Sequence, residues 1–228
     1  MSQGFPSGEV AIVGVYESPL RKAPDVHPFE IQADCVRGAL ADAGLEPGDV
    51  DGFCTAAAFA TEGGSEMNIA EVVEYLGLQP KWFDSTDTGG AAFLTHAGHA
   101  ALAIAAGLID VAVVSYGASG RSSPVYLPDY NSNAWGPGAY EIPFGPSTVS
   151  TYALAAQRHM HEYGTTREQF AQIAVQCRAN AADNPDARYR DPLTVEDVIS
   201  AKPISSPLGR YDCCVVTDSG GAFVLASR

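Results

Sequence analysis

Thr86-Asp87-Thr88-Gly89 sets two hydroxyls, a carboxyl and a glycine directly ahead of an Ala-rich run that reads as a buried helix. The start of such a helix offers unpaired backbone N–H groups and the positive end of its dipole. A polar turn feeding it is where α/β enzymes often place a nucleophile. No cysteine stands on this turn. A threonine hydroxyl is far less acidic than a thiol and carries an acyl group poorly without an activating base. Asp87 serves as acid or base if burial raises its pKa. Capping the helix is the plainer role open to both Thr86 and Asp87.

Other chemistry-bearing residues sit at the ends of elements. Ser115, Tyr116, Ser119 and Arg121 leave an apolar strand and enter a long loop. The carboxyl ends of strands line the ligand crevice in doubly wound folds. His96 and His99 are three apart on one helix and share a face; they read as core or interface histidines. His159 and His161 fall near a helix end, where a cation meets the dipole favourably. Asp212 and Asp218 flank a Cys213-Cys214 strand and read as strand-end hydrogen-bonding groups.

The elements that position these groups alternate. Val10 to Val15 is an apolar strand closed by a turn at Glu17-Ser18-Pro19. A helix opens at Pro28, runs to Ala43 with Ile31, Cys35, Ala39 and Leu40 inward, and stops at Gly44. A second strand starts at Asp49, and Asn68 to Leu76 is a short helix. A further strand delivers Thr86, and Gly90 to Ala106 is the central helix, expected to lie enclosed between sheets. Val111 to Tyr116 is too continuously apolar to be half exposed, so it is expected to be covered on both faces. Gly117 to Ser147 then runs about 30 residues without a regular period, long enough for a lid, binding loop or interface. Helices follow at Thr151 to Tyr163 and after Thr165-Thr166, with a short one near Thr194. Thr217-Asp218-Ser219-Gly220-Gly221 reads as a turn before a last strand, Ala222 to Ala226, which is expected to need an edge from a partner or a second half.

The bulk composition narrows the function. The 27 acidic against 13 basic residues give a formal charge of -14, which argues against nucleic acid and against an anionic membrane surface. The five cysteines show no CxxC or Cys/His spacing for zinc. They read as reduced, mostly buried thiols of a cytoplasmic protein. No Lys/Arg-led apolar leader and no 18-residue apolar span is apparent.

Ala11-Ile12-Val13-Gly14, Ala41-Asp42-Ala43-Gly44-Leu45 with Asp49-Val50-Asp51-Gly52, Ala105 to Val114, Phe170 to Asn180, and Ser206 to Ala222 together resemble the thiolase superfamily. The likeness is to its sterol-carrier-protein-x and lipid-transfer-protein-like branch, nearest the bacterial acyl-CoA retro-aldolases of steroid side-chain degradation. The resemblance implies an α/β fold, layered α/β/α with a mostly parallel mixed sheet. It implies an N-terminal thiolase-like domain over 1–116 and 148–228, an inserted loop at 117–147, and a C-terminal half absent from this chain. It puts Thr86 where cysteine-dependent thiolases carry their nucleophile in Cys-x-(Ser/Thr)-Gly. The family's retro-aldolases also lack that cysteine.

The implied activity is retro-aldol cleavage of a β-hydroxyacyl-CoA, with a steroid or lipid side chain as the implied acyl group. Thiolase-type acyl transfer and a non-catalytic CoA-binding scaffold are the alternatives. Thr86 and Asp87 are the expected catalytic residues. Ser119, Arg121 and Tyr126 are the expected contacts for coenzyme A, which is part of the substrate; no permanent cofactor or metal is expected. The implied partners are a second copy, pairing through the strand near Phe83 to Thr86, and a small OB-fold, zinc-ribbon protein docking on the aromatic loop from Tyr126 to Phe144.

Overall fold

The computed structural model describes residues 7–56, 68–122, 140, 144 and 147–228. In chain order the elements are β1 (Val10–Glu17), α1 (Pro28–Ala43), β2 (Gly52–Cys54), α2 (Asn68–Leu76), β3 (Trp82–Asp84), α3 (Ala92–Ala105) and β4 (Val111–Ser119). There follow α4 (Thr148–Tyr163), α5 (Arg167–Ala182), α6 (Val195–Ser200), β5 (Pro203–Ser205), β6 (Leu208–Gly209) and β7 (Asp218–Ser227). The chain divides into two compact units, residues 1–127 with 216–228, and residues 128–215.

The first unit is built on a five-stranded sheet of order β1-β7-β4-β2-β3. β4, β2 and β3 pair in parallel, and β7 runs antiparallel to both β1 and β4. Four of the five strands therefore point one way, as the sequence led us to expect of a mostly parallel mixed sheet. Period-two alternation splits the strand residues between two cores. Phe53, Val113, Ala222 and Val224 face α1 and α2. Cys54, Ala112, Val114 and Leu225 face α3. The result is a helix–sheet–helix sandwich.

α1 forms where its signals place it. Pro28 stands in the first turn, the His27 ring accepts from the Phe29 N–H, and Gly44 closes the helix in the left-handed region at φ 68°. Its buried face holds Ile31, Cys35, Val36, Ala39 and Leu40, with one polar residue, Gln32. The helix lies close on strand glycines. A Cβ on Gly14 would meet the Ala39 carbonyl oxygen at 2.2 Å, and one on Gly117 would meet the Pro28 carbonyl oxygen at 2.6 Å.

Several expectations need correction. The last strand begins at Asp218, so Asp218 to Gly221 is strand and no turn. That strand needs no outside edge, because it is hydrogen-bonded on both sides, to β1 and β4. Cys213-Cys214 is not a strand; Cys213 follows a 3-10 turn over Arg210–Asp212. Only Cys35 and Cys54 are buried, while Cys177 and Cys214 are exposed and Cys213 is intermediate. α3 starts at Ala92, two residues after Gly90. It is covered on one face only among the described residues, with Leu94 78% and Leu102 49% exposed. β4 is buried on both faces, as its continuous apolar run predicts.

In the second unit, α4 is capped by Ser147 and α5 by Thr166, each in a reciprocal capping box. The Arg167 guanidinium forks onto both oxygens of Asp212, which also accepts from the Gly209 N–H. Thr166→Ala removes the acceptor for the Gln169 N–H and should lower stability by about 1 kcal/mol in urea denaturation.

Candidate active site

The parallel strands bring the carboxyl ends of β2, β3 and β4 to one edge of the sheet, joined there by the start of β7. The turn after β3 is shaped by two carboxylates. One oxygen of Asp84 accepts from the Thr86 N–H at 2.8 Å and from the Thr86 hydroxyl at 2.7 Å. Asp87 accepts from the Gly89 N–H at 2.8 Å, and Gly89 takes the left-handed conformation at φ 67°. These are consecutive Asx-type turns. Neither Thr86 nor Asp87 caps α3. The N-cap is Ala91, which has no side-chain cap bond. Both Thr86 and Asp87 are exposed.

Two histidines of α3 return to this turn. His96 is fully buried, and its Nε2 lies 2.9 Å from the Thr86 carbonyl oxygen. A carbonyl only accepts, so Nε2 carries the proton. Nδ1 of His96 is buried with no hydrogen-bond partner among the described residues. Burial lowers the His96 pKa, outweighing the pull of Asp84, and keeps the ring neutral. His99 is more open, its side chain 45% exposed, and its Nδ1 lies 2.5 Å from the second oxygen of Asp84. Burial pushes the Asp84 carboxyl up, but the bonds from Thr86 and His99 outweigh it and hold the pKa below the usual value. Asp84 is therefore an anion that anchors a hydroxyl and an imidazole.

A thiol stands on the strand next to this turn. Cys54 is aligned with Asp84 in the β2–β3 pairing and is fully buried. Burial, with Asp84 beside it, pushes its pKa to about 12. It is a neutral thiol at physiological pH.

A second polar group lies between β2, β4 and α1. The buried Gln32 amide donates to Thr55 at 3.1 Å and to Ser115 at 2.9 Å. Further along β4, the segment carrying Ser119 and Arg121 is fixed by Asp218. This carboxylate is fully buried and accepts from the N–H groups of Ala23, Arg121 and Ser122 and from the Ser122 hydroxyl.

The expected site residues thus separate. Thr86 and Asp87 share the turn after β3. Ser119 is 9% exposed at the end of β4, and the Arg121 side chain is exposed just beyond it. Tyr126 lies outside the described residues. Among the described residues no hydrogen bond joins the Thr86 turn to Ser119 or Arg121, and no cluster of three or more His, Cys, Asp and Glu could hold a metal. Sequence reasoning missed Asp84, Gln32 and the hydrogen-bonded role of His99. Asp84 and His99 are fifteen positions apart, and only the return of α3 over β3 brings them together. The local signal available was Asp84 two residues before Thr86, a spacing that forms Asx turns.

The chain is similar to known proteins along nearly its whole length. A steroid side-chain-cleaving aldolase of Thermomonospora curvata is 35% identical over 96% of this chain and 57% of its own length. A 17-hydroxy-3-oxo-4-pregnene-20-carboxyl-CoA lyase of Mycobacterium tuberculosis is 35% identical over 97% of this chain and 58% of its own length. A solved Ltp2-ChsH2(DUF35) aldolase is 34% identical with a TM-score of 0.84, covering 98% of this chain and 56% of that one. No family model matches the chain. The chain spans less than three-fifths of the length of these curated relatives.

Proposed function

This chain belongs to the thiolase superfamily, in its sterol-carrier-protein and lipid-transfer-protein-like branch, and from that premise we propose that it contributes to retro-aldol cleavage of a β-hydroxyacyl-CoA. The observation that supports this reading is the turn after β3, where the Thr86 hydroxyl donates to Asp84; the family resemblance puts Thr86 where the thiolases carry their nucleophilic cysteine. Retro-aldol chemistry needs a base for the β-hydroxyl proton and donors for the developing enolate oxygen. It needs no covalent acyl carrier. A steroid or lipid side chain is the proposed acyl group, by likeness to the two relatives above.

Thiolytic acyl transfer is disfavoured by Cys54. A thiol with a pKa near 12, wholly shielded from solvent, supplies almost no thiolate at neutral pH. A purely CoA-binding scaffold subunit is the other reading, and turnover distinguishes it.

The proposed assembly is a dimer paired through β3. Among the described residues that strand is an edge partnered by β2 alone, and Phe83 on it is 54% exposed. A small OB-fold, zinc-ribbon protein on the loop between β4 and α4 is a further proposed partner. Tyr140 and Phe144 of that loop are 81% and 87% exposed, and its residues 123–139, 141–143 and 145–146 lie outside the described residues. Ser119, Arg121 and Tyr126 remain the proposed coenzyme A contacts. The proposed domain division is an N-terminal thiolase-like domain over 1–116 and 148–228 with 117–147 inserted. Among the described residues no helix is long and apolar enough to cross a membrane; a cytoplasmic location is proposed.

The test uses the chain assembled with whatever corresponds to the rest of its relatives' length. Incubation with a β-hydroxyacyl-CoA should release a ketone or aldehyde and the shortened acyl-CoA in equal amounts. Binding without release would favour the scaffold. A covalent acyl adduct on cysteine, trapped with labelled acyl-CoA, would favour acyl transfer.

A further inference from the structure

Each hydrogen that Thr86 has to donate is already placed. Its N–H donates to one oxygen of Asp84 at 2.8 Å, and its hydroxyl donates to the same oxygen at 2.7 Å. Its carbonyl only accepts, and it does so from Nε2 of His96 at 2.9 Å. The carboxylate fixes the direction of the hydroxyl bond. One oxygen of Asp84 accepts from a backbone N–H, and the other meets the His99 ring at 2.5 Å. These bonds hold Asp84 ionised, and an ionised carboxylate has no proton to give.

The neighbouring groups are oriented in the same sense. The Gly89 N–H donates to Asp87 at 2.8 Å. The Thr95 hydroxyl donates to the Ala91 carbonyl at 3.3 Å, so in its 3.4 Å contact with Thr88 the Thr88 hydroxyl is the donor. The turn spends these protons on itself. After giving its proton to Asp84, Thr86 Oγ keeps two lone pairs. Such an oxygen receives a hydrogen bond and makes none. It is also a poor nucleophile, because attack would pass its proton to a carboxylate far less basic than an alkoxide.

Elementary chemistry says what an acceptor in this place recognises. A nucleophile that cleaves a β-ketoacyl thioester must attack the β-carbon, so a residue standing in its place lies beside the β-oxygen. A β-keto oxygen only accepts, and two facing acceptors leave both unpaired. A β-hydroxyl brings a proton to donate. We propose that Thr86 is the specificity-determining residue for the β-position: its Oγ, turned by Asp84, accepts from the substrate's β-hydroxyl and selects a β-hydroxyacyl over a β-ketoacyl thioester. This inference rests on the function proposed above. Thr86 holds the β-hydroxyl without taking its proton, so no bond forms or breaks at Thr86. Asp84 acts through Thr86 and is a positioning residue.

The experiment gives the complete assembly a β-hydroxyacyl-CoA as substrate and the β-ketoacyl-CoA of the same chain as competitive inhibitor. Discrimination is read as the Ki of the ketone divided by the KM of the alcohol. Thr86→Val, close in shape but without the hydroxyl, should lower this ratio about tenfold by raising KM while Ki stays unchanged. Thr86→Ser keeps the hydroxyl and should stay within about threefold of wild type. Asp84→Ala frees the Thr86 proton to donate, and it should lower the ratio from the other side by tightening Ki. A structural role alone would move KM and Ki together. A Thr86→Val ratio within about twofold of wild type, whether neither constant moves or both do, would overturn the role of Thr86 and leave the retro-aldol function standing. A labelled acyl ester trapped on Thr86 would overturn it by making Thr86 a nucleophile. A wild-type assembly that cleaves nothing would overturn both the specificity and the function beneath it.

Discussion

Asp218→Ala should lower the stability of this chain by about 3–5 kcal/mol, more than any surface substitution would. The carboxylate is wholly buried at the start of β7. It accepts from Ala23 N–H at 2.7 Å, Arg121 N–H at 2.8 Å, Ser122 N–H at 2.9 Å and the Ser122 hydroxyl. Alanine leaves these donors without a partner at the junction of three segments. Asn keeps one acceptor but turns an N–H₂ towards a cluster of donors, so it should also destabilise. Burial pushes the Asp218 pKa up, but the donors from Ser122, Ala23 and Arg121 more than reverse this and lower it. Its stabilisation is therefore fully present above the unfolded carboxylate value of about 4 and is lost as pH falls through the lower folded value. Urea midpoints measured at several pH values test both points. The acid decline should flatten in Asp218→Asn. A variant as stable as wild type would mean that the loops hold together without the carboxylate.

Gly117→Val should prevent the native packing of α1, and Gly117→Ala should already cost about 1–3 kcal/mol. A Cβ at Gly117 would lie 2.6 Å from the Pro28 carbonyl oxygen, 2.7 Å from the Gln32 nitrogen and 2.8 Å from the Gln32 Cβ. Two of these atoms are backbone in the first turn of the helix and cannot swing aside. The helix has to lift from the sheet, which breaks the bonds from Gln32 to Thr55 and Ser115. Gly220, the partner of Gly117 in the β4–β7 register, is equally confined, its Cβ position 2.4 Å from the Tyr116 carbonyl oxygen. Gly90→Ala is the control, because a Cβ there meets nothing within 4 Å. Circular dichroism and urea denaturation of the three variants should show Gly90→Ala unchanged, Gly117→Ala weakened and Gly117→Val unfolded. A stable Gly117→Val would contradict the close approach of helix and sheet.

The signals that proved readable in the sequence are local ones. Gly44 ends α1 in the left-handed conformation, and Thr166 caps α5. The continuous apolar run from Val111 to Tyr116 is buried on both faces. What was not readable depends on neighbours distant in the chain. Thr217-Asp218-Ser219-Gly220-Gly221 has the composition of a turn. It is strand from Asp218 onward because β1 and β4 both offer hydrogen-bonding partners, and because only glycine fits beneath α1. Gln32 reads as a polar interruption of an apolar face, and its purpose is visible only with Thr55 and Ser115 around it. The site shows the same division. The turn at Thr86 is marked by residue types alone, whereas the carboxylate that holds its hydroxyl also holds a histidine from the middle of α3.

The position of β7 between β1 and β4 has a consequence during synthesis. The longest pairings in the sheet join residues 10–17 and 111–119 to residues 218–227. A growing chain on the ribosome exposes the bonding edges of β1 and β4 before their shared partner exists. At the usual rate of elongation, residues 120–227 take on the order of 5–20 s to emerge. During that interval two apolar strands offer unpaired N–H and C=O rows to any other nascent chain. Slowing elongation after residue 119 should therefore lower the yield of folded protein in a cell, measured as the soluble fraction, by prolonging the exposure of those edges.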